Sequence, residues 1–106
     1  MYQDKEQVLA QLRVLGMRYT WEILASINSG SKFLKQIARE TRIPYTTVQK
    51  RVNDLEKAGL VRVFNDVDGR TGKFIRKVRV SRFRLSLDPY TIERMVKEGR
   101  VFINRA

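Results

Sequence analysis

The sequence predicts a mostly helical α+β fold, and three observations predict it. From Asp4 to Gly59 apolar residues recur at three- and four-residue intervals, broken into short blocks by Gly16, Gly30 and an Arg42-Ile43-Pro44 turn. After Gly59 the period changes to two, with Val61, Val63 and Val67 alternating with Arg62, Phe64 and Asp66. Asp68-Gly69-Arg70-Thr71-Gly72 then supplies turn chemistry before a second strand-like run. The 106 residues suffice for one domain with a modest core, and 42% apolar content favours a folded chain over a disordered one.

Each element has its own justification. Val8, Leu9, Leu12 and Leu15 lie at helical spacing within Asp4 to Leu15, and Gly16 interrupts that helix. A second helix runs from about Tyr19 to Ser29 with Trp21, Ile23, Leu24 and Ile27 as its apolar content; Trp21 reads as core packing, and Gly30 stands where a left-handed cap belongs. Leu34, Ile37 and Ala38 face inward from a third helix, Leu34 to Thr41. Pro44 suits the first turn of a fourth, where its missing N–H is not needed, and Gly59 ends it. The return strand, Lys73 to about Leu87, has Val78 and Val80 on one parity but Phe83, Leu85 and Leu87 on the other, so a bulge or bend is expected near Ser81 and Arg82. Asp88 as N-cap and Pro89 in the first turn start a last helix, whose stripe of Ile92, Met95 and Val96 stops at Gly99.

Composition narrows the chemistry. With no Cys and no His, a structural zinc site, a disulfide, a Cys nucleophile and every His-based triad are impossible. No closely spaced acidic cluster offers a site for Mg²⁺, so neither a metal nor another cofactor is expected, and enzymatic activity is not expected. No apolar run approaches the roughly 18–20 residues that cross a bilayer, and the amino terminus lacks a secretory pattern. A soluble cytoplasmic, nucleoid-associated protein with no membrane partner is the expectation. The net charge is +11, and +10 of it falls between Ser31 and Leu85. Charge localised in this way is the footprint of a polyanion binder.

The fourth helix carries the sharpest signal. Val48, Val52 and Leu55 centre on one direction at about 100° per residue. Thr46, Lys50, Asn53 and Lys57 occupy the opposite direction, flanked by Thr47 and Gln49. Thr, Asn and Gln donate and accept at base edges, and Lys reaches guanine or phosphate, so Thr46, Thr47, Gln49, Lys50 and Asn53 are the candidate readers of a major groove. Arg51, at the margin of the core face, is a candidate phosphate contact. Arg70 and Lys73 bracket the hairpin tip, with Arg76 and Lys77 following, a cationic end suited to a narrow minor groove. Arg79, Arg82 and Arg84 lie farther from the tip, on its flank.

Two short helices joined by a tight turn and followed by a hairpin describe a winged helix-turn-helix. Ile37-Ala38, Ile43, Thr47-Val48, Val52, Leu55 and Lys57-Ala58-Gly59-Leu60-Val61 resemble the winged-helix transcription regulators of the ArsR and MarR kind, over roughly Tyr19 to Leu85. The resemblance implies a single domain made of an N-terminal helix (1–17), a winged core (19–85) and a C-terminal helix and tail (88–106). It implies that helix 44–58 enters the major groove and wing 65–75 the minor groove, with the start of the preceding helix, near Lys32 and Lys35, facing phosphate. ArsR-like metal sensing through Cys or His does not carry over. A MarR-like small-molecule effector is not marked by any residue, although Trp21 and Phe102 could line a pocket.

Val8, Leu12 and Leu15 are spaced like a heptad seam, Ile92, Met95 and Val96 form a second stripe, and Arg100-Val101-Phe102-Ile103 adds an apolar patch. Dimerisation through these residues would bury all three. The expectation is therefore a homodimeric, sequence-specific binder of double-stranded DNA acting as a transcription regulator. The alternatives are a plasmid-partition or chromosome-architectural protein, or an interaction module of a larger assembly.

Overall fold

The computed structural model describes residues 1–103, so the final three residues of the C-terminal tail lie outside the described residues. The order is β1 (Tyr2–Asp4), α1 (Lys5–Leu15), α2 (Thr20–Ile27), β2 (Lys32–Phe33), α3 (Leu34–Thr41), α4 (Tyr45–Lys57), β3 (Val61–Val67), β4 (Phe74–Val80), α5 (Pro89–Glu98) and β5 (Arg100–Phe102). Four helices precede the hairpin and one follows it, so the mostly helical α+β class and the winged helix-turn-helix arrangement are both present.

The main core forms where the periodicity placed it. Val48, Val52 and Leu55 of α4 are fully buried against Ile23 and Ile27 of α2, Ile37 of α3, Leu60, Val61 and Val78. α4 ends in a Schellman motif: the Leu60 N–H donates to Leu55 O, the Gly59 N–H donates to Glu56 O, and Gly59 takes φ +77°. β3 and β4 pair antiparallel from Val61↔Val80 to Val67↔Phe74, and two-residue β2 adds to the free side of β4. The radius of gyration is 15.9 Å, against about 13 Å for a compact chain of this length, so the molecule is elongated.

Several boundaries differ from expectation. Trp21 is 69% exposed, its indole N–H donating to Leu15 O at 2.8 Å, because Thr20, Ile23 and Ile27 take the inward face of α2. Gly30 does not adopt a positive φ; among the helix-flanking residues before α4 the left-handed ones are Tyr19 and Arg42. Pro44 is the N-cap of α4 and precedes its first turn. β4 stops at Val80, and 81–88 is irregular, which accounts for the change of parity after Ser81. Asp88 and Thr91 form a reciprocal capping box at α5.

The ends of the chain meet. β1 and β5 pair antiparallel in the register Tyr2↔Phe102, Gln3↔Val101 and Asp4↔Arg100. This pairing builds a second small core from Val8, Met95, Val101 and Ile103, with Leu85 packed beside it. Gln3 stitches the irregular segment to it, donating to Ser86 O at 2.8 Å and accepting from Ser86 N at 2.9 Å. α1 joins the two cores, with Val8 in the second and Val14 in the first.

Candidate nucleic-acid interface

The helix α4 separates its two faces cleanly. Thr46, Lys50, Asn53 and Lys57, at successive four-, three- and four-residue steps, are all exposed, while Thr47 and Gln49 are half-buried at its flanks. Thr46, Lys50 and Asn53 thus share one open face, and Tyr45 in the first turn is also exposed. The helix ends carry a further signal. α1 and α5 are capped by Asp4 and Asp88, whereas α3 and α4 have neither a side-chain cap nor an acidic residue in the first turn. A carboxylate there would satisfy an N–H but repel phosphate; its absence leaves the positive end of each helix dipole open.

The hairpin tip is held by its own backbone. Asp68 N–H donates to Lys73 O at 2.9 Å, Asp68 Oδ1 accepts from Arg70 N–H at 2.9 Å, and Gly72 takes φ +71°. The side chains of Arg70 and Lys73 have no partner among the described residues, and neither do those of Lys35 and Lys50. Arg76 Nη2 reaches Asn53 Oδ1 at 3.5 Å, so wing and α4 touch through two of the predicted site residues. Strand alternation places Phe74 on the same sheet face as Arg76, and Val67 lies directly across from Phe74. Phe74 is 75% exposed; it is not among the candidate residues predicted from the sequence, although its even spacing from Val78 puts it on that face.

Two of the predicted phosphate contacts, Lys32 and Arg51, and one predicted wing residue, Lys77, already have internal partners. Lys32, which lies in β2 ahead of α3, bonds Glu40 at 2.6 Å and Ser26 at 3.3 Å. The Lys32 hydrogen bond, helped by Gln36, holds the Glu40 carboxyl below its usual range. Lys77 bonds Asp66 at 3.1 Å and stands over the Phe33 ring. Asp66 is also lowered, first by the Val67 N–H and then by Lys77. Arg51 Nε donates to Arg18 O at 3.0 Å, and Nη1 lies 3.5 Å from Asp54.

The expected dimer seam is divided. Val8 and Met95 are buried together in the second core and Leu15 is half-buried against the first, so those three are spent inside the chain. For Val8 and Met95 the physical reason is the β1–β5 pairing, which supplies Val101 and Ile103 as their cover. Leu12, Ile92 and Val96 remain exposed, and Leu9 joins them. Among the described residues no three His, Cys, Asp or Glu side chains are grouped to hold a metal ion, and no helix is long and apolar enough to cross a membrane.

A model of the MarR family matches residues 9–71, more than half of the chain. None of the curated proteins matches it. The fold is similar to the crystal structure of a possible transcriptional regulatory protein (fragment 1–100) from Mycobacterium bovis, at TM-score 0.60 and 23% identity over 71% of this chain and 74% of that one. It is similar at TM-score 0.59 and 23% identity to the solution structure of a homodimeric winged helix-turn-helix DNA-binding domain from Mycobacterium bovis, a possible ArsR-family regulator, over 71% of this chain and 64% of that one. An ArsR family transcriptional regulator gives TM-score 0.58 and 20% identity over 76% and 77%.

Proposed function

Because the chain belongs to the MarR family of winged-helix, DNA-binding transcriptional regulators, we propose that it is a homodimeric, sequence-specific regulator that reads duplex DNA with α4. The observation that carries this is the division of α4: Val48, Val52 and Leu55 fully buried, with Thr46, Lys50 and Asn53 exposed opposite them. A major groove admits one helix, and a helix can enter only if its inner face is already satisfied by its own domain.

In this reading Thr46, Thr47, Gln49, Lys50 and Asn53 meet base edges. Lys35 and the uncapped start of α3 meet phosphate, and Arg70, Lys73 and Arg76 carry the wing into the adjacent minor groove. Lys32, Arg51 and Lys77 contribute less, since each must first leave a partner. Phe74 lies on the wing face that would follow the groove. Leu9, Leu12, Ile92 and Val96 are the surface for a second copy, an arrangement supported by the homodimeric state of the Mycobacterium bovis domain. A cytoplasmic location follows from the activity proposed.

The test is fluorescence anisotropy on duplexes selected by the protein from a random pool, with a scrambled duplex beside them. Binding to the selected duplex should be about 10³-fold or more tighter than to the scrambled one. Equal affinity for the two would refute sequence-specific reading.

A further inference from the structure

The outer face of the three-stranded sheet carries a cationic and aromatic cluster of which duplex reading uses only Lys77, and that weakly. Val61, Val63 and Val78 turn toward the helices, so alternation turns Arg62, Phe64, Lys77 and Arg79 the other way. Register aligns them in rows. Phe33, Lys77 and Phe64 lie side by side across β2, β4 and β3, and Arg79 lies directly opposite Arg62 in the next row toward the hairpin base. Arg82 follows just past the end of β4. Two adjoining grooves run over this surface, one lined by Arg62, Val63, Phe64 and Arg79, the other by Arg62, Arg79, Val80, Ser81 and Arg82. No acidic residue lines either.

The arginine pair is the part that the fold does not explain. Like charges directly opposed across two strands destabilise a hairpin. The neighbouring row compensates its cation, giving Lys77 both Asp66 and the Phe33 ring. The side chains of Arg62, Arg79 and Arg82 have no ion-pair or hydrogen-bond partner among the described residues. Three uncompensated guanidinium groups beside a 39% exposed Phe64 suit a ligand that alternates planar rings with anionic charge.

We propose that this face binds single-stranded nucleic acid, stacking a base on Phe64 and seating the flanking phosphates on Arg62, Arg79 and Arg82. A duplex keeps its bases stacked on one another and offers none to Phe64, so an unpaired strand is the better fit. The site is separate from the one that would read a duplex. It lies on the reverse of the sheet face through which Arg76 meets Asn53. Both polymers can therefore be held at once, which would let the protein grip a duplex beside a melted segment or a transcript.

Anisotropy of a labelled oligothymidine of about ten nucleotides at roughly 0.15 M salt tests this. The wild type should bind it, with or without saturating duplex present. Phe64→Leu keeps an apolar side chain but removes the ring, and should weaken binding about 5- to 150-fold. The double variant Arg62→Ala/Arg79→Ala should weaken it at least as much and flatten its salt dependence. Both variants should fold, judged by thermal melting, and bind a selected duplex within about twofold of the wild type, because their side chains lie outside the duplex interface. Absence of oligothymidine binding by the wild type overturns the proposal, as do unchanged affinities in both variants. Displacement of the oligonucleotide by duplex would place it on α4, and equal displacement by polyglutamate would assign the face to an acidic polypeptide; either result also overturns it. Failure of duplex binding alone, with oligothymidine binding intact, would refute the reading of α4 and leave this face standing.

Discussion

Salt dependence should separate the cations that the fold leaves open from those that it has paired. Each phosphate neutralised on duplex DNA contributes about −0.9 to the slope of log affinity against log salt. Lys35, Lys50, Arg70 and Lys73 have no side-chain partner among the described residues, and Arg76 has only Asn53 at 3.5 Å. With Lys50 reading a base and Lys35, Arg70, Lys73 and Arg76 on phosphate, the slope is about −3.6 for one protomer and about −7.2 for a dimer. Arg70→Ala/Lys73→Ala removes two of these contacts and should make the slope shallower by about 1.8 per protomer. Lys32→Met should change it far less, since Lys32 is held by Glu40 at 2.6 Å. The assay is anisotropy of a labelled duplex of about twenty base pairs between roughly 50 and 200 mM salt, with melting curves showing that each variant is folded. An unchanged slope in the double variant would remove the wing from the interface. A loss for Lys32→Met equal, per charge, to that for Arg70 and Lys73 would show that internal pairs open on binding and that fold-imposed pairing does not choose the contacts.

Other consequences follow from burial, backbone and charge. Val96→Asp, at a position 66% exposed, should weaken self-association at least tenfold with a melting temperature close to wild type, whereas Met95→Asp should unfold the second core; sedimentation and melting together check both, and a Val96 variant that stays fully dimeric would move the interface elsewhere. Gly99→Ala forces φ +79° on a residue with a Cβ and should cost about 1 kcal/mol, or a fall in melting temperature of about 4–8 °C; an unchanged temperature would contradict the left-handed cap at the end of α5. The carboxyls of Glu40 and Asp66 titrate below their usual range, so the stability that they add is complete above the unfolded carboxylate pKa and is lost as pH falls through the lowered folded values. Glu40→Gln should therefore flatten the acid arm of a melting-temperature profile, and a profile superimposable on wild type would refute the Lys32–Glu40 contribution.

Local patterns made most of the fold legible. The three-and-four spacing of Val48, Val52 and Leu55 located both faces of α4, because on a helix the direction of a side chain is fixed by its position alone. Asp88-Pro89 located the start of α5 for the same local reason, a side-chain cap acting on nearby N–H groups. What escaped was non-local. β1 and β5 have three residues each and find one another from opposite ends of the chain, too short to register as strands and too distant to suggest a pair. That pairing is what turned Val8 and Met95 inward. The pairing of cations escaped likewise: Lys77 meets Asp66 only through the β3–β4 register, and Lys32 meets Glu40 only once β2 lies beside α3. Sequence charge located the basic region, but register decides which of its charges remain open.

Whether α4 reads bases is decided most directly by sequencing the duplexes that the wild type and Lys50→Ala each select from one random pool. The wild type should return two related half-sites about 10 base pairs apart, and Lys50→Ala should keep that spacing while losing base preference at one position in each half-site. An identical motif from the variant, or no motif from the wild type, would contradict the placement of this helix in the groove.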